Sequence, residues 1–359
     1  MGKFTANGKD IFVGPILESG LSDLIKELNP NKIIILSDEN THENCNSYLI
    51  TSIDELSEAE IMVLPAGEST KDLEIANNLW LALTEYEVSR HDLIINVGGG
   101  VITDLGGFVA SCYKRGLKFV NISTSLLGMV DASIGGKTGI NLDGFKNQVG
   151  TFSFPELTVI DPVFLSTLNE AEWLNGFAEM LKHGLIASEE HFKEVLELMK
   201  QDEWMMPIDL LENSLKVKVK ITDNDPFEMS ERKLLNFGHT VGHAIESHQN
   251  KSGYMPHGMA VGIGMIMESY LSLKKGYLSF EEFEKIENEL MSFYGFPDLN
   301  DRDIQELVTL LHNDKKNKNG KILCVLLDKI GHAVADVEIT SEEVLEAFFH
   351  FKNKRINLN

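Results

Sequence analysis

The chain has 359 residues, 43% of them apolar, and a formal net charge of −23 from 32 Lys and Arg against 55 Asp and Glu. That length favours two domains over one, and the apolar share is enough for ordinary globular cores. The charge excludes a nucleic-acid binder, which needs a basic surface to displace counterions, and speaks against an anionic membrane surface. Cys45, Cys112 and Cys324 lie far apart and in no motif, which suits a reducing compartment rather than a disulfide framework. The first residues lack the apolar core of a signal peptide, Ala6 breaks a myristoylation pattern, and no apolar run approaches a membrane span. A cytoplasmic protein with no membrane partner is expected.

In chain order, "KIIIL" (32–36), "EIMVL" (60–64), "DLIINV" (92–97), "KFVNI" (118–122) and "TVI" (158–160) are short, apolar and rich in β-branched residues. They predict buried strands of a mostly parallel sheet. Helical patterns separate them, as at 70–88 and 104–116, so the first half is an α/β, Rossmann-like domain. From about Asn169 the character changes. Amphipathic segments at 169–187, 189–201, 208–222, 232–249, 258–275, 279–294 and 302–313 predict a mainly helical second half. "KILCVLL" and "HAVADVEI" predict a hairpin, "SEEVLEAFFHF" a final helix, and 312–321 a polar loop. The expected division is 1–165 and 166–359.

The strand 92–97 runs into a helix through Gly98, Gly99 and Gly100. Such a turn lets a diphosphate approach backbone amides at the positive end of a helix. The spacing is not G-x-G-x-x-G, since Thr103 stands at the third glycine. Asp104, on the first helical turn, can cap the helix and contact a cofactor. "SDEN" (37–40) and "AGESTK" (66–71) follow two further strands, at the carboxyl ends where open α/β sheets bind ligands. Together they point to a dinucleotide. The stretch 129–150 follows, with five glycines, Asp131, Lys137, Lys146 and Asn147 and no strong periodicity. It reads as a long, ordered, functional loop.

In the second half, "GFAEMLKHG" (176–184) puts Glu179 and Lys182 on one helix face, with Glu179 and His183 also one turn apart. The apolar neighbours are poor company for a solvated ion pair, but periodicity does not separate an ion pair from a metal pair. Lys216, Lys218 and Lys220 recur every two residues, so at most some of them face inward on a helix. Glu228, Arg232, Asn236, His239 and His243 follow at intervals of four, four, three and four, which predicts a polar stripe along one helical face. His257 precedes a glycine-rich apolar helix. Zinc commonly takes a carboxylate and two imidazoles and keeps a position open. Glu179, His239 and His257 could supply that set, and so could Glu179, His239 and His243. His248 falls after the stripe and is expected in solvent. His42, His91, His191, His312, His332 and His350 read as ordinary surface or loop residues.

With these segments in view, the chain resembles the 3-dehydroquinate synthase family from roughly Ile33 to Leu327. The resemblance rests on "GGGVITDLGGFVASCYKRG", "VDASIGGKTGIN", "KNQVGTF", "GFAEMLKHG", "RKLLNFGHTVGHAIE", "PHG" and "HNDKK", in that order. It implies NAD on the N-terminal domain, a divalent metal (zinc or cobalt) and a homodimer. The implied metal ligands are Glu179, His239 and His257, with His243 on the substrate and handling protons. Further substrate contacts would be Asp131, Lys137, Asn147, Lys182 and Lys218, with Glu228, Arg232 and Asn236. Lys315 or Lys316 would join them, and Arg115 would reach across the dimer toward the phosphate. Implied NAD contacts are Asp38, Asn40, Glu68, Ser69, Thr70 and Lys71 after the early strands, and Gly99, Gly100, Val101 and Asp104 at the glycine turn. Thr124, Ser125, Lys146, Phe164, Leu165, Ser166 and Thr167 complete that set. The sequence departs from the family pattern at Thr103 (commonly glycine), Ser125 (commonly threonine) and Met259 (commonly glutamate). Ser125 keeps the hydroxyl, while Met259 removes a carboxylate near a metal histidine.

The implied substrate is a phosphorylated sugar acid, 3-deoxy-D-arabino-heptulosonate 7-phosphate, and the products are 3-dehydroquinate and phosphate. Phosphate is hard to eliminate beside an unacidic C–H. Transient oxidation of the neighbouring hydroxyl acidifies it, and NAD takes the hydride and later returns it. Other sugar-phosphate cyclases, such as 2-deoxy-scyllo-inosose or valiolone-type synthases, share much of the motif set, but Lys218, Arg232, Asn236 and "DKK" match the dehydroquinate type. A metal-dependent polyol dehydrogenase would release NADH, and a non-catalytic NAD-binding regulator would not need the intact set of lysines and ligands.

Overall fold

The computed structural model describes residues 2–143, 145–251, 253–312 and 321–358. The chain divides into two compact units, Met1–Asn169 with Met206–Phe227, and Glu170–Met205 with Glu228–Asn359.

In the first unit, β1 (Gly2–Ala6), β2 (Lys9–Val13), β3 (Ile33–Asp38), β4 (Glu60–Leu64), β5 (Leu93–Gly98) and β6 (Lys118–Ser123) share one sheet with β9 (Leu157–Ile160). The order is β1-β2-β9-β6-β5-β3-β4, and all neighbouring pairs are parallel except β1 with β2. The five apolar runs read from sequence are β3, β4, β5, β6 and β9, but β4, expected to be buried, is the edge strand and leaves Ile61 and Val63 exposed. Every residue of β5 is buried, as expected of a central strand in a parallel sheet, with α5 packed on it. The β1–β2 hairpin was not among the predicted strands, although its turn carries a local signal. Asn7 and Gly8 both take positive φ (52° and 74°), the conformation that an Asn-Gly hairpin turn favours.

The helices of this unit are α1 (Leu21–Leu28), the short α2 (Glu39–Thr41) and α3 (Ser47–Ser52), α4 (Leu73–Glu85) and α5 (Gly100–Cys112). Ile102, Leu105 and Phe108 of α5 pack into one apolar cluster with Ile34, Ile94 and Leu79. The predicted loop 129–150 is not a loop. Its start is a π-helical turn, Gly128–Ala132, and its remainder is an antiparallel hairpin of β7 (Lys137–Leu142) and β8 (Phe145–Phe152) packed on α5. The glycines that interrupt its hydrophobic alternation allow the strands to lie this close: a Cβ on Gly139 would meet Val149 O at 2.7 Å.

The second unit holds α6 (Glu170–Ala187), α7 (Glu189–Met199), α9 (His239–Gln249), α10 (His257–Lys274), α11 (Phe280–Tyr294), α12 (Asp301–His312) and α13 (Ser341–Leu358), with the expected hairpin β10 (Ile322–Lys329) and β11 (His332–Ile339). Helix α10 is buried along most of its length and packs on α6, α9, α11 and α13. The remaining helix, α8 (Ile208–Asn224), belongs to the first unit. It packs on β1 and the π-helical turn, and buries Leu211, Leu215 and Val219 there. A single cut at residue 165 does not anticipate this return.

Two local expectations are corrected in the second unit. The segment 232–249 is not one helix: Glu231–Asn236 is a 3-10 turn, and Gly238, at φ 78°, ends it before α9 begins. That left-handed residue lies against α10, where a Cβ would meet Met265 Cγ at 2.5 Å and Val261 O at 2.9 Å, so only glycine fits. The polar stripe from Arg232 to His243 is therefore split by a break. Two histidines also leave the surface class: His191 is buried, and His248 is largely covered between Asp303 and Glu306 of α12.

Candidate active site

The glycine turn ends β5 at Gly98 and starts α5 at Gly100, with Gly99 as a cap that offers no side-chain acceptor to the first amides. These amides point out of the helix start and are available to an anion. A Cβ on Gly99 would stand 2.8 Å from Ser125 Oγ, which itself accepts from Gly128 N at 3.1 Å. Val101 follows in the first turn of α5, and Thr124 is buried, its amide donating to Gly98 O at 3.1 Å. The turn is therefore held from the next strand.

Beside it, Lys71 is buried and donates to Asp104 Oδ2 and to Asn147 Oδ1, both at 2.5 Å. Burial pushes the Asp104 carboxyl up from its ordinary pKa, while the Lys71 ammonium pulls it back. Glu68 accepts from Asn141 Nδ2 at 2.8 Å and lies 3.9 Å from Lys146 Nζ. Asn141 also accepts from Asn147 N at 3.0 Å. Asn141 was not predicted as a site residue. The only sequence signal for it is its place on the β7–β8 hairpin, which the loop reading concealed. Lys137 starts β7 and is exposed.

Other predicted cofactor residues are committed locally. Asp38 caps α2 through Thr41 N at 2.8 Å, next to exposed Asn40. Thr70 is buried and donates to Pro65 O at 2.7 Å, beside Ser69 on the same short turn. Phe164 and Leu165 are core residues, and the hydroxyls of Ser166 and Thr167 donate back into their own turn at 2.7 Å. On α8, Lys218 is buried in an ion pair with Asp131, while Lys216 and Lys220 are exposed. Arg115 is exposed at φ 68°, beyond the end of α5.

In the second unit, Glu179 and Lys182 of α6 form a buried ion pair, 0% and 1% exposed. Lys182 engages Oε2, and Oε1 has no hydrogen-bond partner among the described residues. His239 and His257 are the first residues of α9 and α10. His239 Nδ1 faces Phe237 O at 3.1 Å, and a carbonyl only accepts, so Nδ1 carries the proton. His257 Nδ1 faces Glu246 Oε2 at 3.3 Å, and a carboxylate sets the same tautomer. The Nε2 atoms of the two rings lie 3.5 and 3.9 Å from Glu179 Oε1. Ligands at about 2.0–2.1 Å from a tetrahedral zinc stand roughly 3.4 Å apart, so the set fits a divalent cation. His243 joins from one turn along α9: its ring centroid is 5.2 Å from that of His239 and 5.7 Å from that of His257. One ring nitrogen of each of the three histidines lies within 4.8 Å of the others.

Nearby, Arg232 is buried, and Asn236 Nδ2 donates to Glu228 Oε1 at 2.6 Å, with Glu228 at φ 60°. Tyr294 donates to Leu174 O at 3.2 Å, and burial, with the Glu179 charge, pushes its phenol up. His183 is buried on the face of α6 next to Lys182. Lys315 and Lys316 lie outside the described residues.

A glycine turn on a parallel α/β unit, with a carboxylate and two imidazoles on a helical unit, defines an enzyme that pairs a dinucleotide with a divalent metal. The fold has the same company. A 2-epi-5-epi-valiolone synthase from Streptomyces hygroscopicus subsp. jinggangensis, solved with NAD+ and Zn2+ bound, superposes with a TM-score of 0.84 at 28% identity over 99% of both chains. A 2-deoxy-scyllo-inosose synthase complexed with carbaglucose-6-phosphate, NAD+ and Co2+ shares the fold, with a TM-score of 0.80 at 20% identity over 98% of this chain and 99% of its own. In sequence, residues 61–175 match the 3-dehydroquinate synthase N-terminal family model, and residues 176–317 match the C-terminal one. A 3-dehydroquinate synthase of Parabacteroides distasonis is 39% identical, covering 94% of this chain and 96% of that protein. The chain belongs to the 3-dehydroquinate synthase family.

Proposed function

We propose that the protein converts 3-deoxy-D-arabino-heptulosonate 7-phosphate to 3-dehydroquinate and phosphate, with NAD held by the α/β unit and a divalent metal by the helical unit. The observation that carries the metal assignment is that His239 Nε2 and His257 Nε2 both lie within 4 Å of the buried Glu179 Oε1, at 3.5 and 3.9 Å. Zinc or cobalt suits that donor set. When bound, NAD supplies a reversible hydride acceptor and the metal supplies Lewis acidity toward a hydroxyl.

The chain's own residues do the rest. His243, beside the ligand histidines, takes and returns the proton of the reacting hydroxyl. Lys137, Lys218 and Arg232 bind the substrate's carboxylate and phosphate, Arg232 through its planar fork. Lys182 balances Glu179 and faces the developing oxyanion. Asp131 and Glu228 hold Lys218 and Asn236 in place. The amides at Gly99, Gly100 and Val101 take the cofactor diphosphate, while Lys71, Asp104 and Asn147 order the adjoining pocket wall. The protein acts as a cytoplasmic homodimer to which exposed Arg115 contributes a phosphate contact across the interface.

The test is phosphate release from the seven-carbon substrate with and without a chelator. Release that stops on chelation and returns with zinc or cobalt, without NADH accumulating, is expected. Turnover of glucose 6-phosphate in its place, or steady net formation of NADH, overturns the reading.

A further inference from the structure

We propose that Glu268, with Asn175, is a positioning residue for the metal centre, acting through the helix starts that carry His239 and His257. The proposal rests on the reading that these histidines and Glu179 hold a metal. Both histidines are the first residues of their helices, where amides lack intrahelical partners and fraying is greatest. Neither start has a cap of its own: the N-cap of α9 is Gly238 and that of α10 is Pro256, and neither makes a side-chain cap hydrogen bond. A ligand on such a turn is poorly fixed unless another element supplies the acceptor.

Another helix does so in each case. Glu268 of α10 is fully buried, and its two oxygens accept from the start of α9, Oε2 from Gly238 N at 2.6 Å and Oε1 from Val241 N at 3.0 Å. Those amides flank His239 in sequence. Asn175 of α6 accepts through Oδ1 from Gly258 N, the residue after His257, at 2.5 Å. Asn175 lies one turn before Glu179, so one face of α6 presents both the metal carboxylate and the acceptor that pins His257. Helix α9 returns the contact through Glu246, which fixes the His257 ring. Each ligand-bearing helix thus holds the start of another, or the ligand on it, so the three metal donors cannot move independently.

The charge of Glu268 matters as well as its shape. An anion at a helix N-terminus is favourable, and hydrogen bonds to a carboxylate are the stronger kind. Two amides converge on two oxygens. A glutamine could satisfy only one of them and would turn its own NH2 toward the other. The helices leave no room to adjust, because a Cβ on Gly264 of α10 would meet Gly238 O at 1.9 Å.

The experiment titrates zinc into metal-free protein against a chromogenic chelator and records the visible bands of the cobalt-loaded form. Glu268→Gln is expected to weaken zinc binding about 10- to 100-fold, the range typical of residues that orient metal ligands, and to shift the cobalt bands. Ile266→Ala is the control. It opens a cavity at a fully buried position two residues away on α10, lowers the melting temperature, and is expected to keep both zinc affinity and cobalt spectrum. Zinc affinity for Glu268→Gln within about twofold of the control overturns the proposal. If Glu268→Gln does not fold, Asn175→Ala is judged by the same comparison. His257→Ala separates the two readings. If it binds zinc like the wild type, the metal assignment itself fails. If it loses zinc while Glu268→Gln keeps it, only the positioning role fails.

Discussion

Lys182 and Glu179 are both out of solvent, and each is the other's counter-charge. Removing one member of a buried pair leaves a charge without compensation, at a cost of about 3–5 kcal/mol. Lys182→Met should therefore lower the melting temperature sharply in chelated protein. A cation held by Glu179 supplies the missing positive charge, so the loss should shrink when zinc is saturating. Melts with and without zinc check this, and an equal loss in both would place the metal elsewhere. The histidines divide in a related way. His257→Ala should lose bound metal by elemental analysis, whereas His243→Ala should retain it and lose turnover. The spacing of His239 and His243 makes both visible in the sequence, but it does not say which one faces Glu179. For His239 that depends on its Nδ1 acceptor, Phe237 O, which no periodicity reveals. Asn141 stayed hidden for the same reason: its role is a contact, not a pattern.

Helix α7 shows what an element can bury without using it in chemistry. His191 is 3% exposed, and neither ring nitrogen has a hydrogen-bond partner among the described residues. Burial pushes its pKa down from 6.5 to about 4. The folded state therefore resists a proton that the unfolded chain accepts. Stability is complete above about pH 6.5 and is lost as pH falls toward 4. Between pH 7.5 and 5 the loss from this group should be about 2 kcal/mol. Urea midpoints at the two pH values measure it, and His191→Leu should flatten the difference. An unchanged slope in that variant would assign the acid sensitivity to other groups. Most elements were legible because their apolar periods were long, as in β5 or α10. Two that were misread had their pattern interrupted by glycine. The β7–β8 hairpin lost its alternation to close backbone contact, and the helix expected over 232–249 is broken at Gly238, where the 3.6-residue period continues but the backbone does not.

At the scale of the whole molecule, the return of α8 to the first unit was not legible, because its inward groups, Leu211, Leu215, Val219 and Lys218, look like those of any amphipathic helix. Its partner Asp131 lies 87 residues away in sequence. That pairing recurs at the three buried site lysines. Lys71 is paired with Asp104, Lys218 with Asp131 and Lys182 with Glu179. Each lysine offers a local positive contact with little net charge beyond it, on a chain whose total is −23. Capture of a phosphorylated sugar acid must then depend on contacts at hydrogen-bond range, since the long-range field repels anions. Salt at 0.15 M screens that field beyond about 8 Å and barely touches buried pairs. Raising ionic strength from about 0.02 to 0.15 M should therefore leave kcat/KM for the anionic substrate flat or raise it. An enzyme that attracts its substrate from a distance shows the opposite trend, and a steep fall with added salt would mean that a positive field reaches solvent despite the paired lysines.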